Sequence, residues 1–309
     1  MTISEAASEE IRGHLTYARL ILKGVFSISQ LLLTSASEIK RLRQTHPSEE
    51  HYQRPPRRYD LPAPRPDLQL PRSNQRYLRP VRFCNCRAPE VVAKAQELGA
   101  FQTSDLAFSQ AAFSFVKEMT TLEIRPIRPA EETLRLGTGT CFELIGLFIA
   151  LCRAAGIPAR YKIFSSNMIQ SWREATIDAD PLLRKWYDSL GNFLFEGEGE
   201  AFVDGRWMVA HVGPTAERQA AARIPITRFG EDSLGVWFTA KPGTIMHLEA
   251  LPPGLAAGSW LLHRISPASM ERVNISVLKQ IELGRQVLAE AGGLQAYDVA
   301  ARAAAVSVS

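Results

Sequence analysis

An α+β fold is predicted by three features of the 309-residue sequence. The most apolar stretch, Phe142 to Ala155, is long enough for a central helix, and Gly156 and Pro158 stop it. Residues 193–203 and 206–212 alternate as two strands joined at Asp204-Gly205, a dipeptide suited to hairpin turns. Residues 4–43 and 268–305 read as helical extensions at the two ends. The expected architecture is a central helix packed on an antiparallel sheet, with helical N-terminal and C-terminal segments.

Composition sets the broad class. Hydrophobic residues make up 46% and charged residues 22%, which fits a globular chain and excludes wholesale disorder or a fibre. The formal net charge of +4 is concentrated in one proline-rich stretch, so local charge outweighs the total. The cysteines are Cys84, Cys86, Cys141 and Cys152, too few and too oddly placed for a disulfide framework. That favours a reducing, cytoplasmic compartment. The first thirty residues carry Glu5, Glu9, Glu10, Arg12, Arg19 and Lys23 in place of a basic start and an apolar block. Neither a signal peptide nor a membrane span is expected, and no membrane partner.

Within 4–43, Ile11, Leu15, Ala18, Leu22, Val25 and Ile28 recur at steps of three and four, the pattern of one or two amphipathic helices covering their own core. From 46 to 80, Pro47, Pro55, Pro56, Pro62, Pro64, Pro66, Pro71 and Pro80 interleave with Arg54, Arg57, Arg58, Arg65, Arg72, Arg76 and Arg79. Proline disfavours helix in the residue before it, so this is an extended arm, hugging the surface or contacting a partner. Nucleic acid is not the expected partner, because no nucleic-acid-binding motif accompanies Tyr59 and Tyr77. Helices follow at 89–98 and 105–118, the second capped by Ser104 or Asp105. Tyr161 to Phe164 reads as a strand, residues 166–190 as a mostly helical insertion containing Trp172, Pro181 and Trp186, and the chain beyond 212 as β-rich to about 265. The division is 1–45 helical extension, 46–80 Pro/Arg-rich arm, 81–265 core with an insertion at 165–191, and 266–309 C-terminal helices.

Cys141 opens the central helix after Gly137-Thr138-Gly139-Thr140. A cysteine in the first turn of a helix meets unsatisfied N–H groups and the positive end of the macrodipole, both of which favour thiolate. The glycines let backbone approach a substrate carbonyl, with Gly139 and Thr140 as oxyanion donors and Trp207 beside the substrate. The alternative is that Cys141 is a small apolar residue buried at a helix start. His247 and His263 are lesser candidates for a base. Cys84-Asn85-Cys86 lacks the spacing of a zinc site, and Gly137-Thr-Gly139 lacks the third glycine of a phosphate loop, so no metal and no cofactor are expected.

Gly137, Gly139, Cys141, the apolar helix and Arg153-Ala-Ala-Gly-Ile-Pro-Ala-Arg160 together resemble the nucleophile helix of the transglutaminase-like superfamily, a papain-like cysteine core. The resemblance continues in the turn Asp204-Gly205-Arg206-Trp207 and in Pro214-Thr215, one residue later than the pattern. Counted from Trp207, the family's histidine position holds Glu196 and its aspartate position holds His211. Glu200 matches a carboxylate that the family often carries four residues past its histidine.

Three readings follow: a rearranged Cys141–His211–Glu196 triad, a Cys141–Glu196 dyad with His211 structural, or a degenerate site that binds without catalysing. If active, the chemistry the resemblance implies is acyl transfer on an amide or thioester through a Cys141 thioester, ending on water or on an amine. The substrate would be a small-molecule, peptide or carrier-bound acyl group, with an acidic carrier protein the partner suited to the arginine-rich arm. The rival class is a catalytically silent fold acting as a binding or scaffold protein.

Overall fold

A computed structural model describes residues 3–44, 51–63, 73–170, 173–174, 177–178, 180–232 and 238–306. Pro47, Pro64, Arg65, Pro66, Pro71, Arg72 and Trp172 lie outside the described residues. Helices α1 (Ile3–Gln44), α2 (Pro89–Glu97) and α3 (Asp105–Met119) precede a short strand β1 (Thr121–Leu122), α4 (Ala130–Leu136) and β2 (Thr138–Gly139). The central helix α5 (Cys141–Ala154) leads into β3 (Ala159–Met168), α6 (Pro181–Leu190) and the hairpin β4 (Phe193–Val203) and β5 (Arg206–Ala210). After α7 (Ala216–Ala221) come β6 (Phe238–Ala240), β7 (Met246–Leu248), α8 (Pro253–Ile265), α9 (Pro267–Glu290) and α10 (Leu294–Val306). The α+β expectation holds, with β3 running longer than expected. The β-rich expectation fails over 253–265, where Pro252-Pro253 starts a helix in place of a strand.

The main sheet runs β5-β4-β3-β6, with β7 also paired to β3 and all pairings antiparallel. Its central register sets Arg160 opposite Glu200, Lys162 opposite Glu198 and Phe164 opposite Glu196. Side chains alternate between faces, so Glu196-Gly-Glu-Gly-Glu200 puts three glutamates on one face and two glycines on the other. The glycine face receives α5. A Cβ on Gly197 would lie 2.9 Å from the Phe142 ring, and one on Gly199 would lie 2.8 Å from the Phe148 ring. Leu144, Ile145, Leu147, Phe148 and Leu151 fill the core with Tyr161, Ile163, Ala201 and Ala210.

The segment after α5 is fixed by buried polar bonds. The Arg153 guanidinium donates to the Ala159 carbonyl at 3.1 and 2.8 Å and to those of Arg79 and Glu249 at 2.9 and 2.8 Å. Arg160 pairs with Glu200 at 2.6 Å and lies 4.0 Å over the Trp207 ring. The hairpin turn takes its shape from Asp204 and Gly205, both at positive φ (51° and 78°).

The described part of the arm hugs the domain and braces the approach to Cys141. Arg54 grips Glu123 with two bonds of 2.9 Å, Arg57 donates to the carbonyls of Tyr59 and Arg135, and Arg58 donates to that of Thr120. Gly137, at φ 72°, leaves room for Arg57: a Cβ there would fall 2.9 Å from its Cγ.

Helix α1 reverses one expectation. Ile11, Leu15, Leu22 and Val25 point to solvent, at 61, 58, 68 and 58% exposure. The face against the core carries Gly13, Tyr17, Leu20, Ile21, Gly24, Ser27 and Leu31, with Tyr17 stacked 5.3 Å from Phe195. Two stripes recur with one period, and the eye follows the more apolar one. Ile11–Arg41 is, by length and hydropathy, apolar enough to cross a membrane, against the expectation of no span.

The close seating of α5 gives a direct test. Gly199→Val forces a branched side chain into Phe148 and is expected to cost about 3 kcal/mol in urea unfolding, against less than about 1 kcal/mol for Gly205→Asn at the exposed turn. Equal effects would contradict the packing described.

Candidate active site

Cys141 is held by its flanks. The parallel pair β1–β2 fixes the chain just before it, with Glu123 N–H donating to the Gly139 carbonyl at 2.8 Å. Thr140 then caps α5: its hydroxyl accepts from Glu143 N–H at 3.3 Å, while Thr140 N–H donates to the Glu143 carboxylate at 2.7 Å. The signal Thr-x-x-Glu stands in the sequence as a capping box. Glu143 is anchored in turn by Arg125 at 2.9 Å, both side chains buried. The Thr140 amide is therefore committed to the cap and does not point free as an oxyanion donor. Gly139 is tightly enclosed, a Cβ there meeting Glu143 at 2.9 Å and Thr133 at 3.0 Å.

Past β5 the chain crosses the start of α5, where a Cβ on Gly213 would lie 3.4 Å from that of Cys141. The last β4–β5 pair is Gly199 with Ala210. His211 follows directly on the end of β5, and Glu196 lies in β4 toward its start.

The three glutamates of β4 differ in what faces them. Glu200 has Arg160 at 2.6 Å and Glu198 has Lys162 at 3.0 Å, but Glu196 has Phe164 across the ladder and accepts from Gly197 N–H at 3.1 Å. Burial pushes the Glu196 carboxyl up to about 8, with Glu198 adding to the shift. Burial, then the Glu196 carboxylate, raise the Cys141 thiol well above its ordinary value, outweighing the Phe142 N–H and Arg218. His211 is buried edge-on to Phe238 at 6.2 Å. Burial, followed by the cations Lys117, Lys162 and Arg218, drives its imidazole well below the usual range. At neutral pH the site holds a thiol, a carboxylic acid and a neutral imidazole. The expected thiolate is not the resting form.

Arg218 links the three groups and carries no recognisable sequence signal. It lies buried on α7, donates to Gln280 Oε1 at 3.1 Å, and its charge acts on Cys141, Glu196 and His211 alike. Lys117 is a second buried base, pushed down to about 7 by burial: its Nζ donates to the carbonyls of His211 and Pro214 at 3.2 and 2.8 Å and to Thr227 Oγ1 at 3.1 Å, pinning the 211–214 segment.

Helix α9 packs against the site and leaves Cys141 partly exposed. Val273, Val277 and Ile281 form a cluster with Leu122 into which Cys141 packs. Asn274 bonds both ways to the Ile124 backbone at 2.6 and 3.0 Å, and Gln280 receives Arg218. Gly284 sits so close to α7 that a Cβ would fall 1.7 Å from the Glu217 carbonyl oxygen.

The remaining candidates lie apart. Trp207 pairs with Phe202 and stands four residues before His211, about 13 Å away along the strand, wedged between Arg160, Phe202 and Tyr77. His247 is 3.7 Å from Glu200, and His263 lies on α8. Cys84 and Cys86 are buried in the main core, burial raising the Cys84 thiol to about 12. Among the described residues no group of three or more His, Cys, Asp or Glu side chains is placed to hold a metal ion.

Residues 92–209 match the family described as "Transglutaminase-like superfamily". A solved structure described as "a Putative Cysteine Protease from Cytophaga hutchinsonii" is similar at 21% identity, over 44% of this chain and 40% of that one, with a TM-score of 0.30. No curated protein matches.

Glu196 gives a pH test. Its folded-state value of about 8 lies above the ordinary 4.5, so its contribution to stability is fully present below about pH 4.5 and is lost as pH rises through 8. Glu196→Gln removes that loss. The variant is expected to match wild type near pH 4.5 and to exceed it by about 1 kcal/mol or more at pH 8 in urea unfolding, and no gain at pH 8 would contradict the buried carboxyl.

Proposed function

We propose, from the match of residues 92–209 to a transglutaminase-like core, that this protein performs cysteine-dependent acyl transfer and rests with its catalytic groups uncharged. The observation that supports this reading most is Cys141 at the capped start of α5, within the electrostatic reach of a buried carboxyl, Glu196, and a buried guanidinium, Arg218, whose charge also acts on His211.

In the proposed reaction His211 takes the Cys141 proton and the thiolate attacks an amide or thioester carbonyl carbon. The bond to the leaving nitrogen or sulfur then breaks, the imidazolium returns its proton to that group, and an acyl thioester remains on Cys141. Water or an amine attacks the thioester in turn, its proton passing through His211 to the departing sulfur. Water makes the protein an amide hydrolase, an amine an amide-forming acyltransferase. Arg218 supports the charged intermediates, and Glu196 becomes its counter-ion once ionised. The acyl substrate is small-molecule, peptide or carrier-bound. An acidic carrier would meet an arm in which Arg57 and Arg58 already bond within the chain, so its docking would fall on other cations.

Cys141 is partly exposed at the start of α5 with α9 packed against it, and fuller solvent at the sulfur would relieve the burial that favours the neutral thiol. The second reading, a silent binding fold, is favoured by the same neutral state.

Gly284→Ala separates the two, since the added methyl cannot coexist with the Glu217 carbonyl unless α9 shifts. Iodoacetamide labelling followed by intact mass, with Cys141→Ala as control, should show Cys141 reacting more slowly than a free thiol in wild type. The rate should rise on the order of tenfold in Gly284→Ala. Adding His211→Asn should slow it again. A rate in Gly284→Ala that stays at or below that of a free thiol and ignores His211 would favour the silent fold.

A further inference from the structure

Helix α1 carries two faces with different tasks, and only one is used by the domain. The inner face is built into the fold: Lys23 Nζ donates to Asn192 at 2.7 Å, Glu38 pairs with Lys185, and Leu31 and Ile39 pack with Leu182 and Trp186 of α6. The outer face exposes Ile11, Leu15, Leu22, Val25, Phe26, Leu32 and Leu33, with Phe26 at 71% and Leu33 at 87%. At 3.6 residues per turn these fall within an arc of about 120°. Isolated exposed leucines are ordinary, but seven large apolar side chains along one arc, interrupted by His14 and Ser29, are not.

Charge decides what the stripe suits. Residues 11–37 contain Arg12, Arg19 and Lys23 and no acidic residue. Those three positions fall within an arc of about 40° between the two faces, with Lys23 turned to Asn192 and Arg12 and Arg19 exposed along the edge of the apolar stripe. A second copy would bring the same cations against each other. Helix α8 extends the surface: it packs beside α1, with Leu262 and Ile265 joining the cluster around Leu31 and Ile39 and Gly254 under Tyr17. It exposes Trp260 (54%) and Leu261 (50%), carries Arg264 over the Trp260 ring at 5.8 Å, and has no acidic residue. Apolar stripe, basic edge and exposed tryptophan are the combination that enters the headgroup region of a bilayer.

We propose that α1 and α8 form a docking surface for an anionic lipid bilayer, with α1 lying along the membrane rather than spanning it. The polar bonds that tie its inner face to α6 and to Asn192 rule against a helix surrounded by lipid on every side.

Vesicle co-sedimentation of the full chain tests this, using phosphatidylcholine vesicles and vesicles of phosphatidylcholine mixed with phosphatidylserine. Wild type is expected to bind the anionic vesicles on the order of a hundredfold more tightly, with binding that weakens as salt rises. Leu22→Glu with Phe26→Glu, and separately Arg12→Glu with Arg19→Glu, should each abolish binding while circular dichroism and thermal unfolding stay as in wild type. Wild type left in the supernatant with both vesicle types would overturn the proposal, and this comparison needs no variant. Equal, salt-independent binding to both would overturn its charge component. A dimer in light scattering that Leu22→Glu dissociates, without vesicle binding, would assign the stripe to a second copy.

Discussion

Helix α5 can touch the sheet only because β4 presents glycine wherever the helix bears on it. Gly197 and Gly199 let the Phe142 and Phe148 rings come within a distance that any Cβ would prevent, and this close approach sets where Cys141 falls. The intervening positions of a strand face the other way, so the glycines that admit the helix also place Glu196, Glu198 and Glu200 in a row on the opposite face. The same alternation builds the core and supplies the carboxyls. Beyond β5, Gly213 repeats the device, lying against Cys141 with no side chain between them.

What makes this row a site and not a structural ladder is a difference in partners. Glu198 and Glu200 face cations across β3, whereas Glu196 faces Phe164. Two ion pairs are satisfied and one buried carboxyl is held as an acid whose charge, once ionised, acts on the Cys141 thiol. Burial then acts in one direction on all of the ionisable groups, keeping the thiol and the carboxyl protonated and the imidazole neutral. Arg218 is the positive charge around which they are arranged, and its bond to Gln280 ties it to the helix that covers the site. Movement of α9 would therefore change both access to Cys141 and the position of that charge.

Much of this was legible in the sequence, for local reasons. The apolar run closed by Gly156 and Pro158, the Asp204-Gly205 turn and the Ser104 cap each depend on a few neighbouring residues, and each element formed as its residues imply. The cysteine at the head of α5 was legible for the same reason. Other features depend on contacts between distant segments. Arg218 reads as an ordinary surface helix residue until α7 is buried by α9, and the α9 residues packed against Cys141 lie more than a hundred positions away. The charge state of Cys141 was misjudged because a helix N-terminus is visible in sequence and burial beside Glu196 is not. On α1 the periodicity was correct but the face was not: small residues such as Gly13, Gly24 and Ser27 line the side that touches the domain.

The central claim is that Cys141 is a nucleophile held neutral beside α9, and trapping the acyl-enzyme tests it most directly. The folded chain would be incubated with a simple acyl thioester, denatured in acid and digested, and the Cys141 peptide weighed. The account predicts one hydroxylamine-labile acyl group on Cys141, formed faster in Gly284→Ala than in wild type and lost in Cys141→Ala. A Cys141 peptide that remains unmodified in both wild type and Gly284→Ala, with both proteins folded, would contradict it.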